Sequence, residues 1–394
     1  MTKGASLLLL CFVVIAGMSP WFSTAAALPG MVAEGGFSAS RQALLSSGVQ
    51  AGFVIGAIAS AVLGLSDMFD PRRVIAMAAL MNAAATGLLL IVPLGSDGAV
   101  ALRVLAGAGF AGIYPPGMKI AVGWGQKDRG LLVGILVGAL TFGSGAPHLV
   151  AWAGGADWRT VIGAAAAASL AAAIMAPLVG LGPHHARAPR FSPRVISLMW
   201  TDRRIRAATG GYLGHMWELY AMWGWISVAA AAGFAAHMDS ASATQLAALT
   251  AFIAISTGAL TCAPAGWMAD RIGKAQVSSG AMALSGSAAI LAALAHGGPV
   301  WLSFILIVIW GAMVIPDSAQ FSAMIADAAP PEIAGSLMTM QTALGFSLTI
   351  FTVQLTPLVA DMFGWPLTLC LMAIGPGLGI MALRPILRRG DQDA

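Results

Sequence analysis

The sequence predicts an all-α membrane protein of twelve transmembrane helices in two pseudo-symmetric six-helix bundles, and three observations carry that prediction. Hydrophobic residues fill 58% of the 394 positions and charged residues 9%, with a mean hydropathy of +0.84, whereas soluble domains carry roughly 25% charge. Apolar blocks of about 20 residues, enough to cross a hydrocarbon core of roughly 30 Å at about 1.5 Å per residue, recur along the whole chain. Basic residues cluster on alternate connectors, as they do when one side faces the cytoplasm.

The expected spans are 5–30, 43–66, 74–94, 98–122, 130–153, 159–182, 206–234, 244–267, 275–296, 299–325, 335–360 and 364–387. The first could be misread as a signal peptide, because Lys3 precedes the apolar run Leu7 to Ala16 and the small run Ser23 to Ala27. Its apolar stretch continues through Met31, too long for a signal core, so an uncleaved helix is expected. After the sixth span comes the longest polar connector, with Pro, His and five Arg. It divides the chain into a bundle over 1–182, a cytoplasmic linker over 183–205 and a bundle over 206–394. The halves echo each other: Asp157-Trp158 opens span six and Gly364-Trp365 opens span twelve, followed by Ile174-Met175-Ala176 and Ile380-Met381-Ala382. Six spans per half give both halves one orientation and place a cavity between them.

Composition also excludes functions. Sixteen of the twenty Lys and Arg lie on the side of the N-terminus, among them Lys3, Lys127, Arg203 and Arg384; only Arg41 and Arg159 fall on the other. The net charge of +4 is thus a topology signal, with both termini cytoplasmic in a cell (inner) membrane, and no nucleic-acid partner is expected. Cys11, Cys262 and Cys370 all lie in apolar blocks and argue neither for a disulfide scaffold nor for a metal cluster; no cofactor is expected. No Gly-Lys-Ser or Gly-Lys-Thr occurs, which excludes ATP-driven pumping within this chain.

Between spans eight and nine stands Gly266-Trp267-Met268-Ala269-Asp270-Arg271-Ile272-Gly273-Lys274, where Asp270 is expected to cap a helix end while Arg271 and Lys274 stay among headgroups. This turn resembles the loop motif of the major facilitator superfamily: Gly, three residues, Asp, a basic residue, any residue, Gly, a basic residue. The first half keeps Asp67 and the pair Arg72 and Arg73 but lacks the first basic residue and the Gly. Block four adds Arg103-Val104-Leu105-Ala106-Gly107-Ala108-Gly109, similar to the family's Arg motif near the outer end of helix four. The resemblance covers the whole chain and implies a secondary transporter whose helices one, four, seven and ten line a cavity. The family's exporter motif in helix five pairs Gly directly with Pro; the segment Gly138 to Pro147 does not, so an antiporter is not supported.

A charge in hydrocarbon costs roughly 2.5 to 3.5 kcal/mol on insertion scales, so the six ionisable side chains inside the blocks are the candidates for function. Arg103 and Lys119 lie on block four, His148 on block five, His215 and Glu218 on block seven and Asp317 on block ten. His215 and Glu218 share a helix face near the midplane and read as a proton-coupling pair; the alternative is a hydrogen-bonded pair that only locks packing. Asp317 and Gln320 share a face just after Pro316. Lys119 is expected either to pair with Asp317 across the cytoplasmic opening, to bind an anionic substrate, or to snorkel toward the interface near Trp124. Arg103 is expected to bind substrate, relay protons or pack, and His148 to pack. Met216, Trp217, Tyr220, Trp223 and Trp225 offer an aromatic wall to a planar substrate, lipid-facing Trp being the alternative.

The reading is a monomeric transporter, not an enzyme, moving a small organic anion by proton-coupled uptake, with protons, the solute and the lipid bilayer as partners. The alternatives are a proton-driven exporter of small molecules or drugs, a copper importer using His215 with Met216 and Met222, and a transporter-like sensor or assembly factor.

Overall fold

The computed structural model describes residues 1–63, 68–125, 129–154, 157–183 and 195–387. Among them seventeen α-helices form twelve membrane-length segments and one short helix in the linker. In chain order they are α1 (Lys3–Met18), α2 (Ser23–Gly35), α3 (Ala39–Leu63), α4 (Pro71–Leu88), α5 (Asp97–Phe110) and α6 (Tyr114–Gly123). Next come α7 (Arg129–Gly154), α8 (Trp158–Met175), α9 (Val195–Thr201), α10 (Arg203–Phe234), α11 (Ser240–Ile272) and α12 (Lys274–Leu294). The last are α13 (Val300–Met313), α14 (Ser318–Ala328), α15 (Pro331–Phe363), α16 (Trp365–Met372) and α17 (Ile374–Leu387). Segments one, four, ten and twelve are each built from two helices, α1/α2, α5/α6, α13/α14 and α16/α17.

The helix starts follow from short polar side chains placed before apolar runs. Asp70, Asp157, Asp202 and Asp239 each accept backbone N–H bonds from the first turn they precede, as do Thr2 and Ser96. Asp202 therefore starts α10 at Arg203, and α9 occupies part of the stretch expected to be pure linker. Asp270 caps nothing: it lies inside the last turn of α11, and Gly273, at φ 101°, ends that helix. Asp67 lies outside the described residues.

Among the described residues, ten segments are long and apolar enough to cross a membrane by composition alone. The two that are not, α4 and α10, differ for separate reasons. α4 is only 18 residues long and begins with Arg72 and Arg73. α10 is buried over 23 of its 32 residues, so protein encloses it and it needs no lipid-facing apolar stripe.

Close helix crossings rest on glycine. A Cβ on Gly52 would come within 1.9 Å of the Val104 carbonyl, and one on Gly107 within 2.1 Å of the Val49 carbonyl, so α3 and α5 touch backbone to backbone. Arg103 is carried on this crossing, its Cβ beside Gly48. The first six segments meet the second six where α7 packs along α11 and α3 along α15, and where α2 touches α10. Gln354 donates to Ser47 Oγ at 3.1 Å and Gln245 to the Trp152 carbonyl at 3.0 Å, both on the side away from the chain termini.

At the start of α4, Arg72 grips Asp70 through Nη2–Oδ2 at 2.6 Å and Nε–Oδ1 at 3.0 Å, and also reaches the Val179 carbonyl. The Arg72 side chain, more than any other influence, holds the Asp70 carboxyl below the usual carboxylate range. A depressed carboxylate stabilises the fold above its unfolded value and loses that contribution as pH falls through the folded one. Asp70→Asn is therefore expected to lower the thermal midpoint at neutral pH and to flatten its fall toward acid; an unchanged acid limb would count against the pair.

Candidate functional site

Segment one breaks over Ser19–Phe22, because Pro20 cannot donate into the helix and the chain turns before α2 begins. The break leaves the carbonyls of Pro20 and Trp21 pointing at α5, where Arg103 meets them. Its Nη1 donates to the Pro20 carbonyl at 3.1 Å and its Nη2 to the Trp21 carbonyl at 2.7 Å. Arg103 is fully buried, its Nε lacks a hydrogen-bond partner, and no carboxylate pairs with it among the described residues.

Around this turn the aromatic residues of both halves converge. Trp21 lies 4.7 Å from Phe110, 5.3 Å from Phe53 and 5.7 Å from both Tyr220 and Phe346, measured between ring centroids. Phe53 and Phe346 approach to 4.2 Å across the two halves, and Phe22 stacks on Tyr220 at 5.9 Å. All are buried, so these rings close the centre of the molecule. Trp223 joins at the edge of Phe22, 5.7 Å away. The indole N–H groups of Trp21 and Trp223 have no partner, whereas Trp217 donates to the Leu371 carbonyl and Trp225 to the Val353 carbonyl. Of the aromatic wall expected from the sequence, Tyr220 and Trp223 face the first half; Trp217 and Trp225 are tied within the second.

The ionisable residues of α10 turn the other way. Glu218 accepts from Trp310 Nε1 on α13 and from Ser285 Oγ on α12, both at 2.8 Å. Segment ten breaks over Val314–Asp317 at Pro316, and there Asp317 meets His215 with Oδ1 and Nδ1 2.9 Å apart. That distance is a contact between a carboxylate and an imidazole, an ion pair when the imidazole is protonated, yet both His215 nitrogens and Asp317 Oδ1 lack aligned hydrogen bonds. The contact leaves bonding capacity unused in a site where each side chain is 1–2% exposed.

Two expected pairings are therefore corrected. His215 contacts Asp317 instead of Glu218, because Ser285 and Trp310 of the neighbouring helices take the Glu218 carboxylate and the break in segment ten brings Asp317 to the imidazole. Asp317 is likewise paired with His215 and not with Lys119, which stands half-buried on α6. Gln320 is buried one turn after Asp317. His148 is fully buried with neither ring nitrogen hydrogen-bonded. At the basic side, Arg271 stacks over Trp267 at 3.4 Å and Lys274 pairs with Asp327 of α14.

Trp21, Phe110, Phe346, Ser285 and Trp310 were not singled out in the sequence. The Ser-Pro step at 19–20 inside an apolar run was a readable sign of the break that carries Trp21. Nothing local marks Ser285 as the partner of a carboxylate 67 positions away.

Comparison with known proteins agrees with this architecture. The family model for the major facilitator superfamily matches residues 8–260. The chain is similar in structure to a mutant of the nucleoside transporter NupG, at 14% identity and TM-score 0.73, over 98% of this chain and 100% of that one. It is also similar to an inward-facing bacterial homolog of the human lysosomal transporter Spinster (14%, TM-score 0.74, 99% of both chains). A third similar structure is the partially occluded, inward-open xylose transporter XylE from E. coli (11%, TM-score 0.73, 99% of this chain and 100% of that one). No curated protein sequence matches. With twelve helical segments, a matching family model over more than half its length and transporter folds as structural neighbours, the chain belongs to the major facilitator superfamily and is a membrane transporter, not an enzyme.

Proposed function

We propose that the protein is a monomeric, proton-coupled symporter that takes up a small organic anion across the cytoplasmic membrane, with both termini in the cytoplasm. The observation that carries this reading is the set His215, Asp317 and Glu218, buried in the second half with no Lys or Arg paired to them among the described residues. Protonation changes what each can do. An ionised Glu218 accepts from both Ser285 and Trp310, but a neutral one brings a proton that needs an acceptor of its own. A proton at His215 turns its contact with Asp317 into an attraction between opposite charges, at the turn where α13 gives way to α14. Each event biases how segments seven and ten sit against each other, and alternating access needs such a bias.

Gln320 serves the same turn, and Lys119 on α6 is the cation offered to an anionic solute toward the basic side. Arg103 acts through the backbone it holds. At the basic side, Asp67, Arg72 and Arg73 of the first half and Asp270, Arg271 and Lys274 of the second are the residues to which gating is assigned as the halves rock.

The test is transport by purified protein in proteoliposomes with an imposed pH gradient. Solute-dependent proton flux is expected in the wild type and is expected to fall below a tenth of it in Glu218→Gln, roughly the effect of losing 1.4 kcal/mol at the coupling step. Flux that survives the substitution unchanged would sink the coupling assignment.

A further inference from the structure

Resting on the reading of an anionic solute, the geometry points to its class: we infer that the central site takes a planar aromatic carboxylate, its ring among Trp21, Phe53, Phe110, Tyr220 and Phe346 and its carboxylate on the indole N–H groups of Trp21 and Trp223. The inference rests on three independent features of the same region.

The first is shape. The rings stand 4.2 to 5.7 Å apart between centroids, the separations at which aromatic pairs attract, and they come from helices of both halves. When the halves rock apart these ring contacts separate, and a flat aromatic solute replaces them one for one, which a saturated ring of the same size does less well. The second is hydrogen bonding. A buried indole almost always finds an acceptor, yet Trp21 is 3% and Trp223 1% exposed and neither N–H has one. Indole only donates, so the ligand must supply acceptor oxygens.

The third is charge. Arg103 is 0% exposed, bonds the carbonyl of Trp21 itself, and has no carboxylate partner among the described residues. Glu218 and Asp317 are occupied by Ser285, Trp310 and His215. A buried cation with only carbonyl dipoles around it is uncompensated, and an anion bound at Trp21 compensates it. The aromatic ring, the acceptor oxygens and the negative charge together describe one chemical class.

The experiment is equilibrium dialysis of labelled benzoate and indole-3-acetate against the purified full-length protein, with cyclohexanecarboxylate and benzamide as competitors. At least one of the two acids is expected to bind saturably, and both competitors about tenfold more weakly, because one lacks the ring and the other the charge. Trp21→Phe and Trp223→Phe keep a six-membered aromatic ring and remove the five-membered ring that carries the N–H donor. Each is expected to weaken binding about tenfold and, because the smaller ring leaves a void in a buried site, to lower the thermal midpoint of the unliganded protein as well. The competitor series needs no variant, so it decides the matter even if a substitution disturbs folding. Absence of saturable binding by either acid, equal competition by cyclohexanecarboxylate or benzamide, or full retention of binding in both variants overturns the inference. Binding without solute-driven proton flux sinks the coupling reading alone; proton flux driven by a non-aromatic anion, with neither acid bound, sinks this inference alone.

Discussion

Arg103→Lys is expected to destabilise the protein by about 2 kcal/mol, despite keeping the charge, and to slow transport about tenfold. The guanidinium reaches two carbonyls at once, Pro20 through Nη1 and Trp21 through Nη2, with a planar fork that an ammonium lacks. A lysine at 103 serves one of them; the Pro20 carbonyl also accepts from Ser23 Oγ at 2.9 Å, so the carbonyl that depends on the fork is that of Trp21. Loosening that turn also frees Trp21, the ring that contacts Phe53, Phe110, Tyr220 and Phe346, so the rate is expected to fall with the stability. The mechanism has a second handle. Pro20→Ala restores an N–H and lets α1 run on toward α2, which gives the same carbonyls intrahelical donors. The lysine substitution is then expected to cost less in a Pro20→Ala background than in the wild type. A thermal-shift measurement of all four proteins reads this directly, and an identical loss in both backgrounds would show that Arg103 does not act through the break.

That break illustrates what was legible in the sequence. The twelve segments were, because a lipid-facing helix must be apolar along its length and the periodic loss of charge shows through any tertiary detail. Segment seven was legible for the opposite reason: a helix enclosed by protein carries His215 and Glu218 where lipid would forbid them, so its polar residues were conspicuous. Their partners were not. Whether Glu218 faces His215 or Trp310 is decided by which neighbours pack on each side of α10, and Ser285 and Trp310 come from 67 and 92 positions away. Arg103 was found as a residue but not as a clamp, since its acceptors are backbone atoms and carry no residue-type signal. The aromatic centre was half legible: Tyr220 and Trp223 were read on their own helix, but Phe53, Phe110 and Phe346 are ordinary apolar residues until the halves bring them together. Among the loop residues, the motif read correctly as a turn, while the capping role assigned to Asp270 failed because Gly273 ends the helix by its own backbone.

The pair His215 and Asp317 carries the other large expected effect. His215→Gln and Asp317→Asn are each expected to lower stability by about 2 to 3 kcal/mol, since either change leaves a buried polar partner unmatched. The double variant His215→Gln/Asp317→Asn is expected to lose less than the sum, with a coupling energy of about 1.5 kcal/mol. If the two residues act only as a local contact, exchanging them should restore the protein. Full restoration is not expected, because Asp317 stands at the N-terminal end of α14, where a carboxylate meets the positive end of the helix dipole and an imidazolium is disfavoured by about 0.5 to 1 kcal/mol. His215→Asp/Asp317→His should therefore recover most of the thermal stability and little of the proton-coupled transport. Recovery of both to wild-type levels would mean that the pair is a packing element without a direction, and proton coupling would then rest on Glu218 alone. Exactly additive losses in the two single variants would mean that the 2.9 Å contact contributes nothing. Between these outcomes, partial rescue of stability without rescue of transport is the result that ties the pair to the turn at Pro316 and to the movement of segment ten.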